Sequence, residues 1–128
     1  HEVKTIAAPT VMDHVHLFVP DPIATRDWYV KMFGATPGER GAFKTASVPG
    51  AEISITKDET TVSTKGRVVD HIGFEVKNLA ETVKRLEASG IKMDRQPGLG
   101  GNGTTKIAFL YDPYGTYIEL TEGLAPKK

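Results

Sequence analysis

Residues 13–19 read DHVHLFV, and residues 70–76 read DHIGFEV. Both have the period-two alternation of a β-strand with one wet and one dry face. Each copy then meets a short turn and an amphipathic stretch, Ile23–Phe33 (IATRDWYVKMF) and Leu79–Ser89 (LAETVKRLEAS). Asp21 and Asn78 stand where N-caps belong, and Gly34 and Gly90 where the helices end. In the second helix Leu79, Val83 and Leu86 share one face; in the first, Ile23, Trp28, Val30 and Phe33 are the apolar residues, with Trp28 and Phe33 expected in the core. Strand candidates follow each helix: residues 42–48 and 51–56 joined across Pro49-Gly50, then 105–111 and 116–120 joined across Asp112–Gly115.

The chain thus contains itself twice. The expected fold is α+β, a single domain over residues 1–128 built from two repeated modules, about 11–60 and 68–123. The polar stretch 58–65 reads as the link between halves, and 98–104 (GLGGNGT) as a mobile glycine-rich lid.

Composition narrows the function classes. Lys plus Arg and Asp plus Glu each number 16, scattered along the chain, which argues against nucleic acid or an anionic membrane as partner. No apolar run approaches membrane-spanning length. Cysteine is absent, which excludes disulfides, thiolate nucleophiles and Cys-zinc sites. The cytoplasm is the expected compartment; because the chain begins at His1 rather than Met, the alternative is an exported protein whose signal peptide was removed before His1.

Strand parity identifies the candidate site. Val15, Leu17 and Val19 share one face of the first strand and His14, His16 and Phe18 the other; in the repeat, His71, Gly73 and Glu75 oppose Ile72, Phe74 and Val76. On the last strand Tyr117, Glu119 and Thr121 oppose Ile118 and Leu120. If the wet faces curve toward one another, His14, His71 and Glu119 converge on a cavity. A single strand histidine is ordinarily just solvated, and what two at equivalent repeat positions add is a metal-competent side chain on the wet face of each copy. His16, whose repeat counterpart is Gly73, reads as a cavity-lining or substrate-contact residue.

These stretches resemble the vicinal oxygen chelate superfamily, which includes glyoxalase I, extradiol dioxygenases, fosfomycin-resistance thiol transferases and bleomycin-binding proteins. The resemblance rests on DHVHLFVPDP and DWYVKMFG, VDHIGFEV with its helix, and IAFLYDPYGTYIELTEG, and spans about residues 11–123. It implies two βαβββ modules whose curved mixed sheets surround a cavity, with His14, His71 and Glu119 as metal ligands. Such a site suits Ni, Zn, Mn or Fe(II), with open positions for a substrate bearing adjacent oxygens. Many family isomerases carry a fourth ligand on the last strand of the first module. Here that position falls on Ser54, with Glu52 at the same parity two residues earlier.

The resemblance implies a divalent-metal-dependent lyase or isomerase of the glyoxalase I-like type acting on a small oxygen-chelating substrate, with Glu119 or Glu52 moving the proton and glutathione as a possible co-substrate. The alternatives are an Fe(II) extradiol dioxygenase, a glutathione or thiol transferase, and a metal-free drug- or metabolite-binding protein of the bleomycin-resistance type. Proteins of this kind and length commonly form homodimers that share sites between subunits, His14 coming from one and His71 with Glu119 from the other. Ser54, Asn102, Lys106, Tyr111 and Tyr117 complete the expected substrate-facing set.

Overall fold

A computed structural model of the chain describes residues 9–124. The reading of His1 as a processed end falls outside the described residues. The chain divides into two compact units, His1–Thr61 and Val62–Lys128. The first carries β1 (His14–Val19), α1 (Pro22–Phe33), β2 (Thr36–Arg40), β3 (Phe43–Val48) and β4 (Ala51–Lys57). The second repeats the order with β5 (His71–Glu75), α2 (Leu79–Ala88), β6 (Arg95–Leu99), β7 (Lys106–Tyr111) and β8 (Tyr117–Glu122).

Each unit is a βαβββ module with one four-stranded mixed sheet, in the order β1-β4-β3-β2 or β5-β8-β7-β6. The opening strand lies at an edge and pairs in parallel with the closing strand, while the remaining pairs are antiparallel. Parallel neighbours cannot be joined by a hairpin, so the helix and two strands between them form the required crossover.

Local chemistry accounts for the helices. The Ala24 amide donates to Asp21 Oδ1 at 2.9 Å, and the Glu81 amide to Asn78 Oδ1 at 3.0 Å. Each cap satisfies an amide that has no partner within the helix. Gly34 closes α1 at φ 67°, a left-handed conformation that costs a residue with a Cβ about 1–2 kcal/mol.

In α2 the buried face is Leu79, Val83 and Leu86, as the sequence predicts. In α1 the expectation fails. The buried residues are Thr25, Tyr29 and Met32, while Ile23 is half exposed and Trp28 and Phe33 are only partly covered. The i, i+4, i+7 spacing is intact, but Thr25 satisfies its hydroxyl on the Asp21 carbonyl at 2.8 Å and so is buried without penalty. Trp28 and Phe33 instead pack edge-to-face, ring centres 5.6 Å apart.

α1 packs on all four strands of its own sheet and α2 on β6, β7 and β8. Leu17, Val19, Ile53 and Ile55 are buried in the first unit; Leu110, Ile118 and Leu120 are buried in the second. This leaves the opposite faces, with His14, His71 and Glu119, uncovered by the module's own helix. β2 and β6 are strands that alternation did not reveal, since TPGER and RQPGL carry proline and glycine. β6 also claims Gly98 and Leu99 from the expected loop. No helix among the described residues is long and apolar enough to cross a membrane.

Candidate metal-binding faces

In the second unit, β5 lies beside β8 with His71 level with Tyr117 and Gly73 level with Glu119. The absent side chain at Gly73 leaves open space there. His71 Nε2 stands 3.0 Å from Glu119 Oε2. Its other nitrogen, Nδ1, lies 2.8 Å from Asp70 Oδ1. A carboxylate on Nδ1 orients the ring and makes Nε2 the better ligand, the arrangement usual for metal-bound histidines. Asp70 is itself held, with the Gly66 amide donating to Oδ2 at 2.6 Å. That backbone bond, followed by the histidine, keeps its carboxyl below the ordinary value.

An aromatic wall surrounds the pair. Phe109, level with Glu119 on β7, meets His71 edge-on at 5.6 Å and stacks on Tyr117 at 4.9 Å. Tyr111 leans against Tyr117 at 4.8 Å. Tyr117 is buried and donates its hydroxyl to Asp94 Oδ2 at 2.6 Å, while Lys65 Nζ reaches the same oxygen at 3.0 Å. Burial, then the Asp94 bond, pushes the Tyr117 hydroxyl up to about 12. Asp94 is lowered by the same two donors, Tyr117 first.

The first unit repeats part of this geometry. His14 Nδ1 lies 2.8 Å from Asp13 Oδ2, the counterpart of the Asp70–His71 pair. His14 is level with Glu52 on β4 and His16 with Ser54. By register, therefore, Ser54 is the counterpart of Glu119 and Glu52 the counterpart of Tyr117. Ser54 is fully buried and donates to Glu52 Oε1 at 3.1 Å. Arg40, from β2, donates to Ser54 Oγ at 2.9 Å and to Glu52 Oε1 at 3.0 Å. A guanidinium thus occupies the hydroxyl and one carboxylate oxygen that would otherwise face an ion. His16 Nε2 is 2.6 Å from Thr56 Oγ1, and its ring stacks on Phe18 at 4.8 Å with Phe43 edge-on at the same distance.

Two expected residues stand apart from these faces. The Asn102 side chain is committed to its own loop, accepting from the Thr104 and Thr105 amides and donating to Thr105 Oγ1. Lys106 has the parity opposite to Phe109 and pairs with Glu122 at 3.2 Å on the helix-covered side. Sequence reasoning passed over Asp13, Asp70, Arg40, Phe109, Asp94 and Lys65. The residue preceding each histidine was the readable signal, because Asp-His occurs in both copies of the repeat.

The donor set fits a divalent ion of borderline hardness: imidazoles whose Nδ1 is already engaged, and a carboxylate beside one Nε2. Among the described residues no group of three or more His, Cys, Asp or Glu side chains is gathered to hold an ion. Each unit carries one Asp-His pair, and the second adds Glu119 beside its histidine.

Repeated βαβββ modules, each opening on an Asp-His strand, define a class of fold. The Glyoxalase/Bleomycin resistance protein/Dioxygenase superfamily model matches residues 11–120, and the chain belongs to that family. The lactoylglutathione lyase of Escherichia coli O157:H7 is 40% identical over 57 residues, 44% of this chain and 42% of that protein. A probable chloroplastic lactoylglutathione lyase of Arabidopsis thaliana is 44% identical over 52 residues, 41% of this chain and 15% of that protein. The chain therefore aligns with less than half of these curated relatives' length. Among solved structures, a genomically encoded fosfomycin resistance protein from Listeria monocytogenes superposes with TM-score 0.72 at 21% identity, covering 94% of this chain and 96% of that one. A lactoylglutathione lyase from Agrobacterium tumefaciens gives 0.68 at 18%, covering 92% and 96%. At these identities the structures speak for the fold alone.

Proposed function

We propose that the protein is a divalent-metal-dependent lyase or isomerase of the lactoylglutathione lyase type, acting on a small oxygen-chelating substrate such as a glutathione adduct. The observation that carries the reading is the His71–Glu119 pair, 3.0 Å apart, with Asp70 on the far nitrogen of the ring. The likeness to curated lactoylglutathione lyases supports the substrate class. The ion would be held by His14, His71 and Glu119, and Ni, Zn, Mn and Fe(II) all suit that set. When bound, it supplies Lewis acidity toward an oxygen-chelating substrate.

The chain's own residues divide the remaining work. Asp13 and Asp70 hold the two imidazoles in the tautomer that frees Nε2. Phe109, Tyr111 and Tyr117 form an apolar wall that keeps water from the carboxylate side. A carboxylate must move the proton, and Glu119 is better placed than Glu52, which Arg40 engages. Sharing of sites across a homodimer is part of the same proposal, with His14 from one subunit and the other two ligands from its partner.

The test is metal analysis of protein purified without added metal, followed by assay of glutathione plus an α-oxoaldehyde under each of the four ions. Near-stoichiometric metal and thioester formation are expected. Oxygen uptake with catechols, or thiol addition to an epoxide, would replace the lyase reading with another chemistry of the superfamily. Absence of any bound metal, with His14→Ala indistinguishable from the parent, would sink all three.

A further inference from the structure

The segment that leads into β5 is built as a bracket rather than a passive link. Thr64 is its centre. The Thr64 amide donates to the Gly115 carbonyl at 3.0 Å, just before β8. The Thr64 hydroxyl accepts from the Tyr117 amide at 2.8 Å and donates to the Asp70 carbonyl at 2.7 Å. One side chain therefore joins the entrance of β5 to the entrance of β8, the two strands that carry His71 and Glu119. The next residues close the device. Arg67 N–H returns to the Thr64 carbonyl at 3.0 Å, forming a turn in which Gly66 has φ 79°. The Gly66 amide then holds Asp70 Oδ2, whose sister oxygen faces His71 Nδ1. Lys65, from the same turn, meets Asp94 beneath Tyr117.

The first unit provides the contrast. There the Glu52 amide reaches the Asp13 carbonyl directly at 3.2 Å, with no interposed hydroxyl. Asp13 there meets Arg40 at 3.8 Å. The Thr64 bracket thus belongs to the side of the site that holds two of the three proposed ligands.

We propose that Thr64 is a positioning residue for metal binding: its hydroxyl locks β5 against β8 and fixes the turn that holds Asp70, so that His71 presents Nε2 at Glu119. This rests on the metal-dependent reading above. Removing the hydroxyl while keeping the side chain's shape takes away the link between the two strands and frees their relative shift. A displacement of a few tenths of an ångström between two ligands weakens a preorganised site without unfolding it.

The experiment compares Thr64→Val, which keeps the shape and the backbone bond, with Thr64→Ser, which restores the hydroxyl. Thr25→Val is the control, because it removes a buried threonine hydroxyl in the first unit. Two readouts are taken on the full chain: cobalt(II) affinity by competition with a chromophoric chelator, and hydrogen exchange of the Tyr117 amide by NMR. Thr64→Val is expected to weaken cobalt by about tenfold, the low end for loss of a supporting group, and to speed Tyr117 exchange. Thr64→Ser should recover both, and Thr25→Val should change neither. Fast Tyr117 exchange with parental cobalt affinity in Thr64→Val overturns the proposal, as does equal weakening in Thr25→Val. A parent that takes up no cobalt overturns the metal reading itself and this proposal with it, so the two failures are told apart by the unsubstituted protein.

Discussion

The two units share a chain path and differ in what they place on it. At the register position where the second unit has Glu119, the first has Ser54; where the second has Tyr117, the first has Glu52. The second face is an aromatic wall around an imidazole–carboxylate pair. The first is an ionic cluster in which Arg40 bridges Glu52 and Ser54. What survives duplication is the Asp-His opening of each module, in matching geometry at 2.8 Å. The backbone of a module thus tolerates either chemistry on its open face, while the orientation of the histidine is kept in both. A chain of this kind specialises by changing residues on one face of two strands, because the opposite face must stay apolar beneath the helix.

Breaking the comparison at its sharpest point should give the largest effect. Glu119→Ala should lower cobalt affinity by at least about 100-fold, beyond the 10–100-fold typical of outer partners, whereas Ser54→Ala should change it by less than about threefold. Chelator competition reads both, and equal effects would mean that the first unit's position is a ligand after all. Next come the orienting carboxylates. Asp70→Asn and Asp13→Asn should each cost about 10–100-fold in cobalt affinity, since each carboxylate stands 2.8 Å from the Nδ1 of its histidine.

Removing Arg40 probes the first unit's own device. Arg40→Met leaves the partly buried Glu52 carboxylate and Ser54 hydroxyl without their shared donor, and should cost about 1.5–3 kcal/mol of stability in urea titrations. No comparable loss is expected from Lys106→Met, whose own side chain is 60% exposed in its pair with Glu122.

The smallest effect is a pH dependence carried by Glu122 in the second unit. Glu122 accepts the Leu79 amide at 2.7 Å and then Lys106, and the two hold its carboxyl below the usual 4.5. Its contribution is therefore fully present above about pH 4.5 and is lost as pH falls through the lowered folded value. At the equivalent position of β4 the first unit has Lys57, which makes no such cap and pairs with Glu59. Glu122→Gln should flatten the acid limb of the stability profile followed by circular dichroism, and an unchanged limb would assign acid sensitivity elsewhere.

Much of this was legible in the residues. Asp21 and Asn78 cap the helices where the pattern puts them, and Leu79, Val83 and Leu86 form the expected buried face. Parity on β1, β5 and β8 separated the histidines and Glu119 from the core. β2 and β6 were not readable, because strands held mainly by backbone pairing to a neighbour need no alternation of their own. The buried face of α1 was misread for a related reason: hydrophobicity scales do not show that Thr25 finds its partner one turn back.

The sequence by itself determined the duplicated strand–helix–strands order, the helix caps and the two Asp-His openings, because these depend on neighbours within a few positions. Only the tertiary structure decided the rest. It made Ser54, rather than Glu52, the register counterpart of the second unit's Glu119, brought Arg40 from another strand onto Ser54 and Glu52, and turned the segment around Thr64 into a bracket between β5 and β8. Those outcomes depend on strand register and on side chains meeting across residues distant in the chain, and no local pattern carries that information.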